Sequence, residues 1–300
     1  MEASPAVTKL LDGLVDMHCH SGPAPFPREF DHVEAAREGD RINMRAFVSK
    51  SHHHSTVMDM KAAYRSFEGI GTKAFGGVAL NNQVGGLNPY AVEMCVRMGG
   101  KVVWFPTFSS RRHIEYHEQA VSQGFPQSAV QLTTVPVLVH DDSGALRPEV
   151  AQIADIVEES GAVFNGGHLH ADDMFEVFSV GADRGVQRMV ASHPNFITDL
   201  TPQQGKELAD LGVYLEHEVG MYLPNEQPFF EIDTLMEWLE VVGIERSYFA
   251  SDLGQIGRTH PVDAFIYVAT ALLDRGVPEK DLRRMFVDTP TYLIGFDEAA

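Results

Sequence analysis

The sequence predicts an α/β protein folded as one (β/α)8 TIM barrel, a single domain spanning residues 1–300. Eight short apolar or β-branched runs alternate with amphipathic segments, and eight parallel strands separated by helices close into a barrel. Ligand-type side chains also recur where these runs end, as they do at the mouth of a barrel. The predicted strands are 14–20, 45–50, 74–80, 101–107, 162–170, 188–193, 212–218 and 247–254.

Helix boundary signals support this alternation. Thr201 and Asp233 have side chains suited to N-caps. A glycine after the last apolar position predicts a helix end. Such glycines are Gly99, Gly161, Gly212 and Gly243.

One connection is longer than an ordinary barrel loop. Residues 108–147 separate the fourth and fifth predicted strands and form a long insertion. Its first part, "SSRRHIEYHEQAVSQGFPQ", is predicted to be a lid helix or a subunit contact, and "TTVPVLVHDDSGALRPE" a short strand with a turn. Long loops in compact domains are usually functional, so this insertion is one candidate lid and "VGMYLPNEQPFF" a second.

The charge composition of the chain indicates which kinds of partner to expect. The chain has 23 Lys and Arg against 42 Asp and Glu, a formal net charge of -19. Such a surface repels nucleic acid and anionic membranes, so we expect neither as a partner and expect a small-molecule substrate. With no leader pattern, no run of 18 apolar residues and two thiols that look buried, the sequence predicts a soluble cytoplasmic protein. Self-association into a homo-oligomer is also expected.

The stretch "LVDMHCH" introduces the candidate chemistry. In a strand, side chains at i and i+2 share a face, so Asp16, His18 and His20 are expected on one face and Met17 and Cys19 on the other. Two imidazoles at that separation can bind one metal ion, although two ordinary surface histidines have the same pattern. The predicted strand ends carry, in chain order, His18 and His20, Lys50 (with His52 just beyond), Asn81, Thr107, His168, His193, Glu216 and Asp252.

Four histidines and an aspartate form a nitrogen and oxygen site suited to a divalent metal, zinc first, with Mn, Fe or Co as alternatives. Such a metal lowers the pKa of bound water from about 16 toward about 7. A neighbouring carboxylate such as Asp252 can accept the proton and pass it to a leaving group.

The order of these residues resembles the amidohydrolase superfamily: His-x-His on strand one, His on strands five and six, and Asp on strand eight. The resemblance covers nearly the whole chain, including the ending "LRRMFVDTPTYLIGF". It implies that His18, His20 and Asp252 hold the more buried metal, and that Asp252 also shuttles the proton. His168 and His193 would hold a second metal, or contact substrate if only one metal is bound.

The chain departs from that pattern at strand four, which ends "WFPT" without the bridging lysine or glutamate of binuclear members. Lys50 on strand two is the nearest substitute, as a carboxylated bridging ligand. A catalytic or substrate-binding lysine and a surface lysine are the alternatives, so one or two metals per chain are expected.

The remaining polar residues divide into substrate contacts and structural groups. His52, Asn81, Thr107 and Glu216 are candidate substrate-binding residues, and Glu216 is equally an ordinary polar residue of the barrel mouth. His113, His117 and His140 are expected in surface or lid roles. His217 is expected to pack between strand and helix.

These observations predict a metal-dependent hydrolase of the amidohydrolase type. Activated water would attack the carbonyl of an amide, cyclic amide, lactone or ester, with Asp252 moving the proton. The alternative within the same superfamily is a non-oxidative decarboxylase with one metal, which needs no strand-four bridge. A catalytically silent barrel acting as a binding protein is the remaining alternative.

Overall fold

The computed structural model describes residues 2–119, 130, 132–224, 226 and 229–296. Its eight strands form one parallel sheet in the order β1 to β8, so each strand pairs with its neighbours in sequence. This confirms the predicted (β/α)8 barrel. The strands are β1 Val15–Cys19, β2 Ala46–Ser49, β3 Lys73–Ala79, β4 Val102–Trp104, β5 Val163–Asn165, β6 Met189–Ser192, β7 Val213–Glu218 and β8 Ser247–Ala250.

Hydrogen bonds between the ends of β8 and β1 bring the first and last strands together. The Asp252 amide donates to the His18 carbonyl at 2.8 Å, and the His20 amide donates to the Leu253 carbonyl at 2.8 Å. Cys19 and Leu253 form a parallel bridge at the same place. The closure thus lies at the carboxyl ends of the strands, beside the residues predicted to form the site.

Helices follow the strands and cover the barrel. The α-helices are α1 Pro5–Leu11, α2 His32–Gly39, α3 Val57–Ala62, α4 Pro89–Arg97, α5 Arg111–Gln119, α6 Pro148–Ser160, α7 Ala171–Asp183, α8 Pro202–Asp210, α9 Ile232–Val242, α10 Pro261–Asp274, α11 Glu279–Arg283 and α12 Thr289–Leu293. Within the described ranges, none of them is long and apolar enough to cross a membrane.

Thr201 caps α8 as predicted, in a capping box with Gln204. The prediction for Asp233 is wrong, because α9 begins at Ile232 and Glu231 occupies the N-cap position in extended conformation. Gly161 ends α6 with φ 65° and Gly243 ends α9 with φ 94°, as the sequence predicts. Glycine enters this region of φ without the clash that a Cβ atom causes.

The apolar core lies both inside and outside the barrel. Two large clusters fill the space between strands and helices, one around Leu11, Phe249 and Phe286 and the other around Val103, Phe164 and Trp238. A third cluster joins first residues of strands, such as Val15, Ala46 and Val102, to Leu293 and Ile294. The chain after α11 therefore closes the amino-terminal end of the barrel and leaves the opposite end for the site.

Strand β1 is less regular than the sequence predicts. Its register with β2 shifts between Asp16 and Cys19. Met17 packs with the residues inside the barrel, whereas Cys19 packs in the outer cluster around Leu11. The expected shared face of Met17 and Cys19 is therefore wrong. The Asp16 carboxylate accepts from the backbone of His18 and Ser251.

The insertion between β4 and β5 begins with the helix predicted at its start, α5. In place of the predicted extra strand, the structure has a single antiparallel bridge between His140 and Leu146, around a turn held by Asp141. Residues 120–129 and 131, which belong to the proposed lid, lie outside the described residues, as do 225, 227 and 228 of the second candidate lid.

Candidate active site

The predicted site residues are gathered at the carboxyl ends of the strands. His20, Lys50, His193 and Asp252 lie in the loops just after β1, β2, β6 and β8, and His18 lies within β1. Strands β4 and β5 end earlier than predicted, at Trp104 and Asn165. Thr107 and His168 are therefore loop residues. In a barrel these loops form the mouth where ligands bind.

The centre of the mouth is a compact group around Asp252. Its Oδ1 lies 2.9 Å from His20 Nε2 and 3.1 Å from His18 Nε2. Lys50 Nζ lies 2.9 Å from the same His18 nitrogen. One ligand atom each from His18, His193 and Asp252 also lies within 4.8 Å of the others. The structure thus brings together residues separated by more than two hundred positions in the sequence.

Hydrogen bonds on the far side of each ring set the orientation of the first two histidines. His20 Nδ1 lies 2.9 Å from the carbonyl of Lys50, which can only accept, so the tautomer with its hydrogen on Nδ1 donates to this carbonyl. His18 Nδ1 lies 2.9 Å from Glu216 Oε1 and donates to that carboxylate in the same way. In the neutral tautomer with its hydrogen on Nδ1, each ring directs the Nε2 lone pair toward Asp252 Oδ1, the orientation in which a histidine binds a metal while its other nitrogen donates to a neighbouring oxygen.

This donor set fits a divalent metal. Two imidazole lone pairs and a carboxylate oxygen repel one another at these distances unless a proton or a cation lies among them. Two further buried nitrogens make no hydrogen bond in the described part of the chain: His168 Nε2, and His193 Nδ1, which lies 3.4 Å from Glu218 Oε1. Imidazole nitrogen and carboxylate oxygen are ligands of zinc and of the other metals named above.

Burial keeps most of these rings neutral. Desolvation lowers the pKa of His20 and of His193 to about 3, and it places the pKa of His52, His113 and His168 well below the usual value. Burial alone would raise the pKa of Asp252, but the nearby His18 and His193 hold it well below its usual range. His18 is the exception: burial and Lys50 lower its pKa, but the attraction of Asp252 and Glu216 outweighs them and raises it above the usual value. The other rings are neutral and Asp252 is ionised, the protonation states that metal binding requires.

Two central residues have a strained backbone. His193 has φ 54° and Asp252 has φ 53°, in the left-handed region that non-glycine residues rarely adopt. Such conformations cost about 1–3 kcal/mol each and persist where the surroundings fix a side chain for function. Gly254 beside them admits no Cβ atom, which would lie 2.4 Å from the His20 carbonyl oxygen.

Two glutamates of β7 lie behind the centre. Glu216 accepts from His18, from Ser192 Oγ at 2.6 Å and from the Tyr248 hydroxyl. This predicted substrate contact is not among the described residues that border the cavity, and it is hydrogen-bonded to His18 instead. Glu218 accepts from the His193 amide at 2.8 Å, and burial together with Glu216 raises its pKa well above the usual value.

Of the other predicted substrate contacts, one reaches the cavity. His52 borders it, with its ring stacked on Phe108 at 4.0 Å between centroids and its Nδ1 2.9 Å from Thr107 Oγ1. Asn81 is fully buried and holds the loops after β2 and β4, donating to the His52 carbonyl and to Thr107 Oγ1. Asn81 and Thr107 thus position His52 and lie outside the cavity lining.

The cavity over this centre has about 690 Å³, including its opening to solvent. Its described lining consists of His20, Phe26, Arg28, His52, Phe108, His113, His168, His193, Phe196, Ile197, Gly220, Met221, Asp252, Gln255 and Arg258.

Two of these residues were missed from the sequence. His113 was expected in a surface or lid role, but it is buried, with Nδ1 3.0 Å from His168 Nδ1. Arg28 carried no prediction, although its place in the loop after β1 was an available signal, because such loops line the mouth of a barrel. His217 packs against Trp238 and Phe249, as expected.

Several solved structures share this barrel architecture over nearly the whole chain. An amidohydrolase from Pseudomonas aeruginosa matches with TM-score 0.60 at 12% identity, covering 97% of this chain and 98% of that one. A triple mutant of organophosphorus hydrolase from Deinococcus radiodurans matches with TM-score 0.57 at 13% identity, covering 98% of both chains. A 2,6-dihydroxybenzoate decarboxylase from Rhizobium matches with TM-score 0.51 at 13% identity, covering 95% of this chain and 99% of that one. At these identities the matches show a shared barrel fold.

The chain belongs to the family described as "Family of unknown function (DUF6282)", whose profile matches residues 13–216. This stretch contains the predicted metal ligands of β1, β2, β5 and β6, while Asp252 lies beyond it. No curated protein sequence matches the chain.

Proposed function

We propose that this protein is a metal-dependent hydrolase that cleaves an amide, cyclic amide, lactone or ester bond of a small molecule. The observation that carries the proposal is the convergence of His18 Nε2 and His20 Nε2 on Asp252 Oδ1 at 2.9–3.1 Å. Such a group of buried donors, facing a cavity at the barrel mouth, has a functional role more often than a structural one.

His18, His20 and Asp252 would hold the first divalent ion, zinc being the best fit to their chemistry. His168 and His193, each with a buried ring nitrogen that makes no hydrogen bond to a described residue, would hold a second ion or contact the substrate. When bound, the metal supplies polarisation of the scissile C=O group and a water of lowered pKa.

Asp252 is the proposed proton carrier. Its pKa lies well below the usual range, so the carboxylate is ionised at neutral pH and able to accept a proton. Glu216 holds His18 and the Lys50 carbonyl holds His20, so neither ring has to reorient during turnover. The Phe26 and Phe108 rings, 5.0 Å apart between centroids, shield one side of the cavity from water.

Lys50 is the proposed bridge between two metals, as a carbamate. Burial lowers its pKa from 10.5 to about 8, which favours the neutral amine that reacts with carbon dioxide. Its Nζ is already at the centre, 2.9 Å from His18 Nε2. A lysine that remains an amine would instead contact the substrate.

The experiment combines metal analysis with a carboxylate variant. Protein purified without an affinity tag should contain one or two divalent ions per chain by elemental analysis, and His18→Ala should lose them. On a panel of p-nitrophenyl esters, lactones and cyclic amides, Asp252→Asn should lower the rate on the best substrate by about 10²–10⁴-fold. Asp142→Asn, in an exposed turn of the insertion, is the matched control. An unchanged rate for Asp252→Asn would exclude the proposed mechanism.

A second candidate is a decarboxylase with one metal. It is favoured by the end of β4, where Trp104 and the following Phe105 offer no bridging ligand. Release of carbon dioxide from a panel of hydroxylated benzoates, with one metal per chain, would select this reaction over hydrolysis.

The proposal also covers the partners, the location and the oligomeric state of the protein. The net charge of -19 supports a small-molecule substrate over nucleic acid or an anionic membrane. A cytoplasmic location and a homo-oligomeric state remain proposals, and light scattering after size-exclusion chromatography tests the second.

A further inference from the structure

Arg28 places a positive charge beside the candidate active site. Its guanidinium borders the cavity, and its Nη2 lies 3.3 Å from His20 Nδ1. Nε is buried and makes no hydrogen bond to a described residue, and no carboxylate of the described residues lies within salt-bridge distance of this arginine. The longer-range attraction of Asp252 offsets only part of the cost of its burial. A partly buried guanidinium without a directly paired carboxylate is costly, so its place in the cavity wall points to a ligand that supplies the opposite charge.

The other cation of the cavity is already compensated. Arg258 Nε pairs with Glu226, whose second oxygen accepts from the Thr259 amide. Asp252 is the only carboxylate among the described residues that line the cavity, and it lies at the metal centre. The chain as a whole has 19 more acidic than basic residues, whereas the cavity lining carries a local positive charge at Arg28.

The loop that carries Arg28 is fixed to the loop that carries Asp252. The Glu29 amide donates to the Gly254 carbonyl at 2.9 Å, and Arg28 and Gln255 form an antiparallel bridge. On its other side, the Gly22 amide donates to the Phe30 carbonyl at 2.9 Å. The guanidinium is therefore held at a defined position relative to the proposed proton carrier, as preorganised binding requires.

Apolar and aromatic groups form the rest of the wall. Phe26 and Phe108 lie edge to face, and Phe196, Ile197 and Met221 border the same cavity. Such surfaces bind the apolar or planar body of a ligand, while one charged group fixes its orientation.

We propose that the cavity selects a small carboxylate with an apolar or planar body, and that Arg28 binds the carboxylate of this substrate. The guanidinium fork matches a carboxylate with two parallel hydrogen bonds, which orients the ligand as well as attracting it. The proposal deepens the proposed function and rests on it only for the bond that reacts. Arg28 would anchor one end of the substrate and present the other end to Asp252.

Benzoate and benzamide are the test probes, because they have nearly the same shape and differ in charge. Calorimetric titration of the protein as purified, with its metal content measured, should show benzoate binding about tenfold or more tightly than benzamide. Arg28→Gln should remove this preference and leave benzamide binding unchanged. Arg97→Gln, at an exposed arginine of α4 paired with Glu93, is the matched control and should keep the preference.

Arg28→Lys covers the case in which Arg28→Gln does not fold. It keeps the charge but lacks the planar fork, so it should retain only part of the preference for benzoate. Equal affinity of the wild type for the two probes would overturn the proposal. So would an undiminished preference in both variants, since a bound metal would then be the source of the discrimination.

Failure of this inference is separable from failure of the proposed function. The titration measures binding alone, and it is interpretable at any metal content. A protein without metal or turnover whose benzoate preference depends on Arg28 would refute the hydrolase and support the anion site. A metal-loaded protein that hydrolyses substrate but has no preference for benzoate would support the hydrolase and refute the anion site.

Discussion

Lys50 shows at the level of one residue how burial changes chemistry. Its side chain is 1% exposed, lies 2.9 Å from His18 Nε2 and has its Nζ 5.5 Å from the centre of the Trp104 ring. Desolvation is the largest influence on its pKa, which falls from 10.5 to about 8 despite the attraction of Asp252 and Glu216. The folded protein therefore gives up this proton at lower pH than the unfolded chain does.

Lys50→Met should consequently stabilise the metal-free protein most at low pH. Below about pH 8 both states of the wild type carry the proton, and burial of the charge costs about 3 kcal/mol. Between about 8 and 10.5 the unfolded state binds more protons, so wild-type stability rises with pH and the advantage of the variant shrinks. Urea unfolding from pH 7 to 10 in the presence of a chelator measures this difference.

The control for this comparison is Lys61→Met, at an exposed lysine of α3. The difference in the free energy of unfolding between Lys61→Met and the wild type should stay constant over the same pH range. A difference for Lys50→Met that is equally constant would show that the amine is not destabilised by burial, and would weaken its proposed role as a carbamate.

Helix α5 shows what an inserted element contributes. The helix begins at Arg111, after Ser110 at the end of the β4 loop, and brings His113 into contact with His168. The two rings are stacked with centroids 5.1 Å apart, and His113 also stacks on Phe108 at 4.5 Å. The insertion therefore supplies part of the cavity wall and a hydrogen-bond partner for a proposed ligand.

His113→Phe should weaken metal binding while preserving the packing of α5. Without the hydrogen bond to its Nδ1, the His168 ring is no longer held in one orientation. Such changes lower metal affinity about 10–100-fold. Competition with a chelator of known affinity measures the effect. His170→Asn, which keeps a side chain able to cap α7, is the control and should leave metal affinity unchanged. Equal affinities for the two variants would remove His168 from the proposed metal ligands.

At the scale of the whole molecule, closure of the barrel brings the proposed ligands together. The carboxyl ends of β1 and β8 are fixed by hydrogen bonds, and the mouth gathers buried imidazoles around Asp252. A ligand that binds only the folded state raises stability with its concentration. Metal binding should therefore raise the midpoint temperature of global unfolding.

Removal of metal with a chelator should lower the midpoint of thermal unfolding, and excess zinc should restore it in a concentration-dependent way. Differential scanning fluorimetry measures both steps. His18→Ala, which lacks a proposed ligand, should unfold at the same temperature with and without zinc. If neither chelator nor zinc changes the unfolding midpoint of the wild type, the result contradicts a metal centre in this barrel.

The sequence by itself determined the alternation of strands and helices, the barrel and the residues brought to its mouth. These follow from local patterns, since short apolar runs between amphipathic segments predict parallel strands and loops after such strands meet at one end. His18, His20, Lys50, His193 and Asp252 were found in this way.

Only the tertiary structure decided how these side chains meet. The register shift in β1, the contact of Lys50 with His18 and the position of Glu216 behind that ring depend on neighbouring strands. Arg28 and His113 reach the cavity because their loops pack against distant parts of the chain. Contacts between residues far apart in sequence leave no periodic pattern, so their geometry appears only when the barrel has closed.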